Sequence, residues 1–215
     1  MARGNRVILF RILLAAMLAT YGFAVQAQAL PKPKEFYFDA DGNSARKIVV
    51  VEGEGEALAA QLIKARERGR RQVEATAQLA HVAITDNRVE LGKSLYQQAL
   101  QGTQASNGIG RAVRWNYAWD LYRLGEHDAA LKLWAELAGG YGSPSWVPPT
   151  LALGLWDADR KTEAVQWYAA AVRTEPNQWS NPANYATLLP DWRDEERQRL
   201  VEVYNAWAAN PPAWP

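Results

Sequence analysis

Two stretches decide the fold: Leu124-Gly-Glu-His-Asp-Ala-Ala130-Leu-Lys-Leu-Trp134-Ala-Glu-Leu137 and Ala158-Asp-Arg-Lys-Thr-Glu-Ala164-Val-Gln-Trp-Tyr168-Ala-Ala-Ala171. They align without a gap. Ala130 and Ala164 are 34 residues apart, and so are Trp134 and Tyr168. In each, a small residue is followed four positions later by a large aromatic, and three further on by a small or apolar residue. All three fall on one face of a helix. The small residue lets a neighbouring helix approach, and the aromatic fills the gap beside it.

Outward from these stretches the chain reads as helix pairs joined by tight turns. Helical periodicity predicts helices over 54–68, 70–85, 88–101, 111–124, 127–138, 147–156 and 162–174, a short one over 184–189, and a last one over 193–209. Asp86-Asn87 and Gly125-Glu126 are the tight turns; 102–110 and 139–144 are the longer breaks. Pro148 and Pro149 suit a first helical turn, where a missing N–H costs little. Short connections favour antiparallel neighbours packed side by side.

This pattern resembles the tetratricopeptide repeat family, whose period is 34 residues. Ala164, Tyr168, Ala171 and Pro176 carry the best copy, and Gly125, Ala130 and Trp134 the next. A looser copy holds Leu79, Ala80, Gly92, Tyr96 and Ala99; a degenerate one holds Leu200, Tyr204, Trp207 and Pro212. The spacing is uneven, with Tyr96 to Trp134 being 38 and Tyr168 to Tyr204 being 36. The family's Leu-Gly pair is replaced by Tyr117-Ala118 and Leu151-Ala152. The resemblance implies an all-α fold of helical hairpin repeats, an α-solenoid, over 54–215, because one hairpin cannot bury its own apolar face.

In that family the first helix of each pair lines a concave groove that binds peptides or partner proteins. The resemblance therefore implies partner contacts from Gln78 and His81 in the first pair. In the second pair they come from Trp115, Asn116, Trp119, Tyr122 and Arg123, and in the third from Thr150, Leu153 and Trp156. Asn116 and Arg123 are of the family's clamp type, but a full basic clamp is missing. Trp115, Trp119, Tyr122 and Arg123 also share one helical face, either as an aromatic binding strip or as core packing.

The two ends differ from this body. Residues 1–29 carry Arg3, Arg6 and Arg11, a short apolar run, and Ala27-Gln28-Ala29, which together read as a cleavable secretory signal peptide. The cut falls after Ala29 or Ala27; an uncleaved inner-membrane anchor is the alternative. Its removal takes away three arginines and no acid. Residues 30–53 read as an extended segment with a short β-hairpin. Phe36 and Phe38 lie in one arm and Lys47–Val51 in the other, with turn formers from Asp39 to Ser44 between them. Asp39, Asp41 and Asn43 resemble the start of a calcium loop, but Gly42 comes too early and Val50 replaces the bidentate glutamate.

Composition narrows the function. Lys plus Arg is 24 against 23 for Asp plus Glu, so no basic surface for nucleic acid is expected. The absence of cysteine excludes disulfides and thiol nucleophiles, and suits an oxidising periplasm. His81 has no carboxylate at a triad spacing, and His127 sits at a turn. The basic run from Lys64 to Arg71 is a solvated helix end or a contact for anionic headgroups. Asp191, Asp194, Glu195 and Glu196 suit the start of the last helix. No P-loop, G-x-S-x-G, H-E-x-x-H or dinucleotide fingerprint is present.

The expectation is a periplasmic, non-catalytic adaptor that binds a peptide or partner protein in its groove, with no cofactor, no metal and no transmembrane helix after cleavage. A second expectation is a carbohydrate or peptidoglycan binder that stacks sugars on Trp115 and Trp119. A third is an enzyme whose site no motif reveals; it would show itself as a cleft holding two close carboxylates, or as His81 beside one.

Overall fold

The computed structural model of the chain describes residues 29–30, 32–33, 41, 44–67, 69–104, 106–138 and 144–213. The expected signal peptide, apart from Ala29, lies outside these residues. Those described form helices α1 (Gly55–Glu67), α2 (Gln72–Thr85), α3 (Val89–Gln101), α4 (Gly108–Arg123) and α5 (His127–Ala138). Next come α6 (Val147–Asp157), α7 (Lys161–Thr174), α8 (Pro176–Trp179), α9 (Tyr185–Leu188) and α10 (Asp194–Ala209). Helix α4 starts before its predicted position because the Asn107 side chain caps it, accepting from the Gly110 N–H at 2.6 Å. Helix α8 is a single turn that opens at Pro176.

The pairs α2–α3, α4–α5 and α6–α7 pack as antiparallel hairpins. Each turns on the same motif. Asn87 (φ 62°), Gly125 (φ 81°) and Asp159 (φ 59°) occupy the left-handed region. The next residue, Arg88, Glu126 or Arg160, donates its N–H to a carbonyl five residues back, on Ala83, Leu121 or Leu155, at 2.8–2.9 Å. That is the Schellman closure of a helix end. The same next residue then accepts the first backbone bond of the following helix.

Successive hairpins touch through α2–α4, α3–α4 and α5–α6, while α1 covers α2 at the front and α10 covers α6 and α7 at the back. The recurring aromatics Tyr96, Trp134 and Tyr168 are each fully buried. Close approach depends on the small residue before them. A Cβ on Gly92 would lie 2.4 Å from the Ile84 side chain and 2.7 Å from the Ala80 carbonyl.

The expected β-hairpin is not seen: the described residues contain no strand. Residues 34–40, its first arm, lie outside them. Residues 44–51 form a strap of turns and bends, irregular at 47–49, across α2 and α4. Among the described residues its backbone is met by side chains. Both Val50 N–H and Val51 N–H donate to Gln78 Oε1 (2.6 and 3.1 Å), and Gln78 Nε2 donates to the Val51 carbonyl at 2.7 Å. Asn116 Nδ2 donates to the Arg46 carbonyl (2.8 Å), and Asn116 Oδ1 accepts from Ile48 N–H (3.2 Å). Arg71 reaches the Val49 carbonyl at 2.9 Å, and Ile48 is buried. At the strap's start, Arg111 binds Ser44 Oγ (2.7 Å) and Asp41 (2.8 Å). The acidic turn residue Asp41 thus answers an arginine.

Candidate functional site

Helical spacing aims one face of α2 and one face of α4 at the same space. Gln78, His81 and Thr85 follow each other by three and four, as do Asn116, Trp119, Asp120 and Arg123. The first turn of α6 adds Pro149 and Thr150. The strap closes one side with Ala45, Lys47 and Ile48. The connector from Glu175 to Arg193 closes the other with Trp179, Leu189 and Trp192. The cleft between them has a volume of about 600 Å³.

Six of the expected site residues, His81, Trp115, Asn116, Trp119, Arg123 and Thr150, line this cleft. Gln78 lies under the strap that it holds. Tyr122, Leu153 and Trp156 do not line it. Tyr122 turns to Trp134 and His127 and donates its hydroxyl to Asp157 at 2.5 Å. Leu153 is fully buried. Trp156 donates to Glu202 at 3.0 Å beneath Lys161. On α4, Tyr122 falls just outside the arc that runs from Trp115 to Asp120, and on α6 only the first turn reaches the cleft, so Leu153 and Trp156 lie beyond it.

The expectation that His81 stands without a carboxylate is overturned. Its Nδ1 lies 2.9 and 3.0 Å from the two oxygens of Asp120, across the α2–α4 contact. Asp120 is buried and also accepts from the Tyr96 hydroxyl of α3 at 2.6 Å. Burial first, and then the charge of Asp120, push the Tyr96 hydroxyl well above its ordinary pKa, so it remains a donor. With Nδ1–H given to the carboxylate, Nε2 of His81 has no protein partner among the described residues. The sequence signal for Asp120 was a charged residue inside the apolar stripe Tyr117, Ala118, Leu121, a position that demands a partner.

The tryptophans form a wall more than a set of platforms. Trp119 meets Trp115, Trp134, Trp192 and Tyr122 edge to face at 5.1–5.8 Å, and Arg123 lies over its ring. Trp115 also packs edge-on to Trp146. Trp119, Trp146, Trp179 and Trp192 are buried, while Trp115 is half-buried. Arg123 is held by Glu196 at 2.8 and 3.2 Å, and Glu196 also caps α10 by accepting from Arg193 N–H. Thr150 Oγ1 is buried with no protein partner.

Elsewhere His127 ties its turn to the Asp157 carbonyl, and Arg66 bonds Gln98. Among the described residues no helix is long and apolar enough to cross a membrane, and no cluster of three ligating side chains stands ready for a metal. No family model matches this chain, nor does any curated protein or solved structure.

Proposed function

We propose that this chain is an exported, non-catalytic adaptor built of tetratricopeptide-like repeats, whose cleft binds an extended peptide of a partner protein. One observation carries the reading. The groove helices already grip a backbone segment in cis, through the side-chain amides of Gln78 and Asn116. Such amides stand in for the peptide groups of a neighbouring strand, which is how a surface recognises extended polypeptide irrespective of side chains. The half-buried Trp115 and the buried indoles beside it supply the apolar contact that anchors interfaces. Stacked sugars need free indole faces, and here the rings cover one another. Export rests on the sequence of residues 1–29 alone.

The test is affinity capture from a bacterial envelope extract, using the chain beside a Trp115→Ala/Thr150→Val variant that keeps its circular dichroism spectrum. A protein captured by the parent and lost by the variant supports the adaptor. Equal capture by both moves the interface elsewhere. Retention on peptidoglycan with no captured protein replaces this reading with the glycan one.

The His81–Asp120 pair favours a second reading. A buried carboxylate that orients an imidazole, with Nε2 left unengaged, is the arrangement of a general base. If the cleft hydrolyses esters, turnover of a nitrophenyl ester panel would be lost in His81→Gln while the fold is kept. Turnover equal to that of His81→Gln, or none, leaves Asp120 as a tie between α2, α3 and α4.

A further inference from the structure

A buried indole N–H normally finds an acceptor, because a donor taken out of water without one loses its hydrogen bond. Other indoles of this protein meet that need with carboxylates. Trp146 donates to Asp41 at 3.3 Å, Trp156 to Glu202 at 3.0 Å and Trp179 to Glu175 at 3.4 Å. Three indoles of the cleft wall depart from the pattern. The N–H groups of Trp115, Trp119 and Trp192 have no acceptor among the described residues. Trp119 and Trp192 are only 7% and 8% exposed, so little of either ring reaches water.

The three rings form one cluster. Trp119 lies 5.8 Å from Trp115 and 5.1 Å from Trp192 between ring centroids. The Arg123 guanidinium sits 5.2 Å over Trp119 and gives Glu196 only Nε and Nη2, so its Nη1 is open as well. The acceptors on the wall are largely filled. Asp120 is taken by His81 and Tyr96, Glu175 by Gln178 and Trp179, and Asn116 Oδ1 by the Ile48 N–H. Lys47 and Arg193 are exposed without an ion pair among the described residues, against one such carboxylate, Asp191. The wall thus offers more open donors than open acceptors.

We propose that the cleft binds a small organic carboxylate with an aromatic or branched apolar body. Its oxygens accept from the open indole N–H groups and Arg123, as Asp41, Glu202 and Glu175 do from the other indoles. Its body lies against Leu189 and the indole edges. A volume of about 600 Å³ suits such a ligand. The proposal goes beyond the adaptor reading and stands without it.

The probes are phenylacetate and isocaproate, their primary amides, and the amines of the same carbon skeletons. In calorimetric titration the full chain should bind each acid at least about tenfold tighter than its amide or amine, since charge-assisted hydrogen bonds are roughly twice as strong as neutral ones. Arg193→Gln should weaken the acids several-fold and leave the amides as they were. With isotope-labelled tryptophan, isocaproate (which has no ring current) should move the indole N–H signals of Trp115, Trp119 and Trp192, each assigned by Trp→Phe substitution. The signals of Trp146, Trp156 and Trp179 should stay. Equal affinity for acid, amide and amine overturns the proposal, and so does movement confined to the other indoles. No binding of either acid overturns it too, and envelope capture then decides the adaptor reading separately. Binding of a peptide that alternates valine with glutamate, with both free acids silent, overturns the small ligand and returns the cleft to a partner protein.

Discussion

The three hairpins and the two segments flanking the cleft are held together differently. Each hairpin meets its backbone needs internally, through helix ladders and a repeated Schellman turn, and joins its neighbour through a buried aromatic. The strap satisfies little by itself, and the connector supplements its own single turns, α8 and α9, with anchors on α7 and α10. The strap hangs on Gln78, Asn116, Arg71 and Arg111, all from the hairpins or their margins. In the connector, the Leu189 and Trp192 carbonyls both accept from Arg197, and the Trp179 carbonyl accepts from the Tyr168 hydroxyl. Scaffold stability is therefore local and repeated, whereas the strap depends on side chains of the hairpins and the connector depends on them in part. Cleft changes should disturb binding before they disturb the fold.

The largest test of this contrast is alkali. Burial raises the hydroxyls of Tyr96, Tyr122 and Tyr168 in the hairpins, and of Tyr185 in the connector. A raised folded-state pKa means that the stabilisation is complete below the unfolded tyrosine value of about 10 and is lost as pH rises beyond it. Circular dichroism should show the hairpins unfolding cooperatively in that range. Retained helix at pH 12 would contradict it.

Next comes Trp134→Ala, which empties a fully buried site between hairpins. It should cost about 3–5 kcal/mol in urea unfolding. A cost below about 1 kcal/mol would mean that the hairpins do not share one core. Asp120→Ala should cost about 2 kcal/mol, because it strands the buried Tyr96 hydroxyl. Adding Tyr96→Phe should recover part of that loss, and a strictly additive pair would break the coupling. Gly125→Ala forces a side chain into the left-handed region and should cost about 1 kcal/mol. The smallest effect on stability, below about 1 kcal/mol, is expected for Gln78→Ala, since the strap amides it frees can turn to water. Hydrogen exchange should show protection lost at Val50 and Val51 alone. Loss of protection throughout α2 would place the strap in the scaffold.

The hairpins were legible in the sequence because their causes are local. The period of 34, the turn residues Asn87 and Gly125, and the small-then-aromatic spacing each act within a few residues. The departure to 38 between Tyr96 and Trp134 has a visible counterpart: Asn87 and Gly125 are also 38 apart, and the longer loop ahead of α4 takes up the excess. The candidate site was half legible. Asn116, His81 and Trp115 could be placed on a common face from periodicity, but their employment could not. Asn116 holds the strap, and His81 is held by a residue 39 positions away.

Amino-acid order alone thus determined helix existence, pairing and the turns, since hydrogen bonds within a helix and closure of its end depend only on near neighbours. Only the tertiary structure decided that a β-branched run lies in a groove instead of a hairpin, and that a carboxylate on α4 meets a histidine on α2. It also decided which indoles wall a cleft and which fill the core. Those outcomes depend on which polar groups meet across packed helices, and a buried group settles for whichever partner the packing brings within reach.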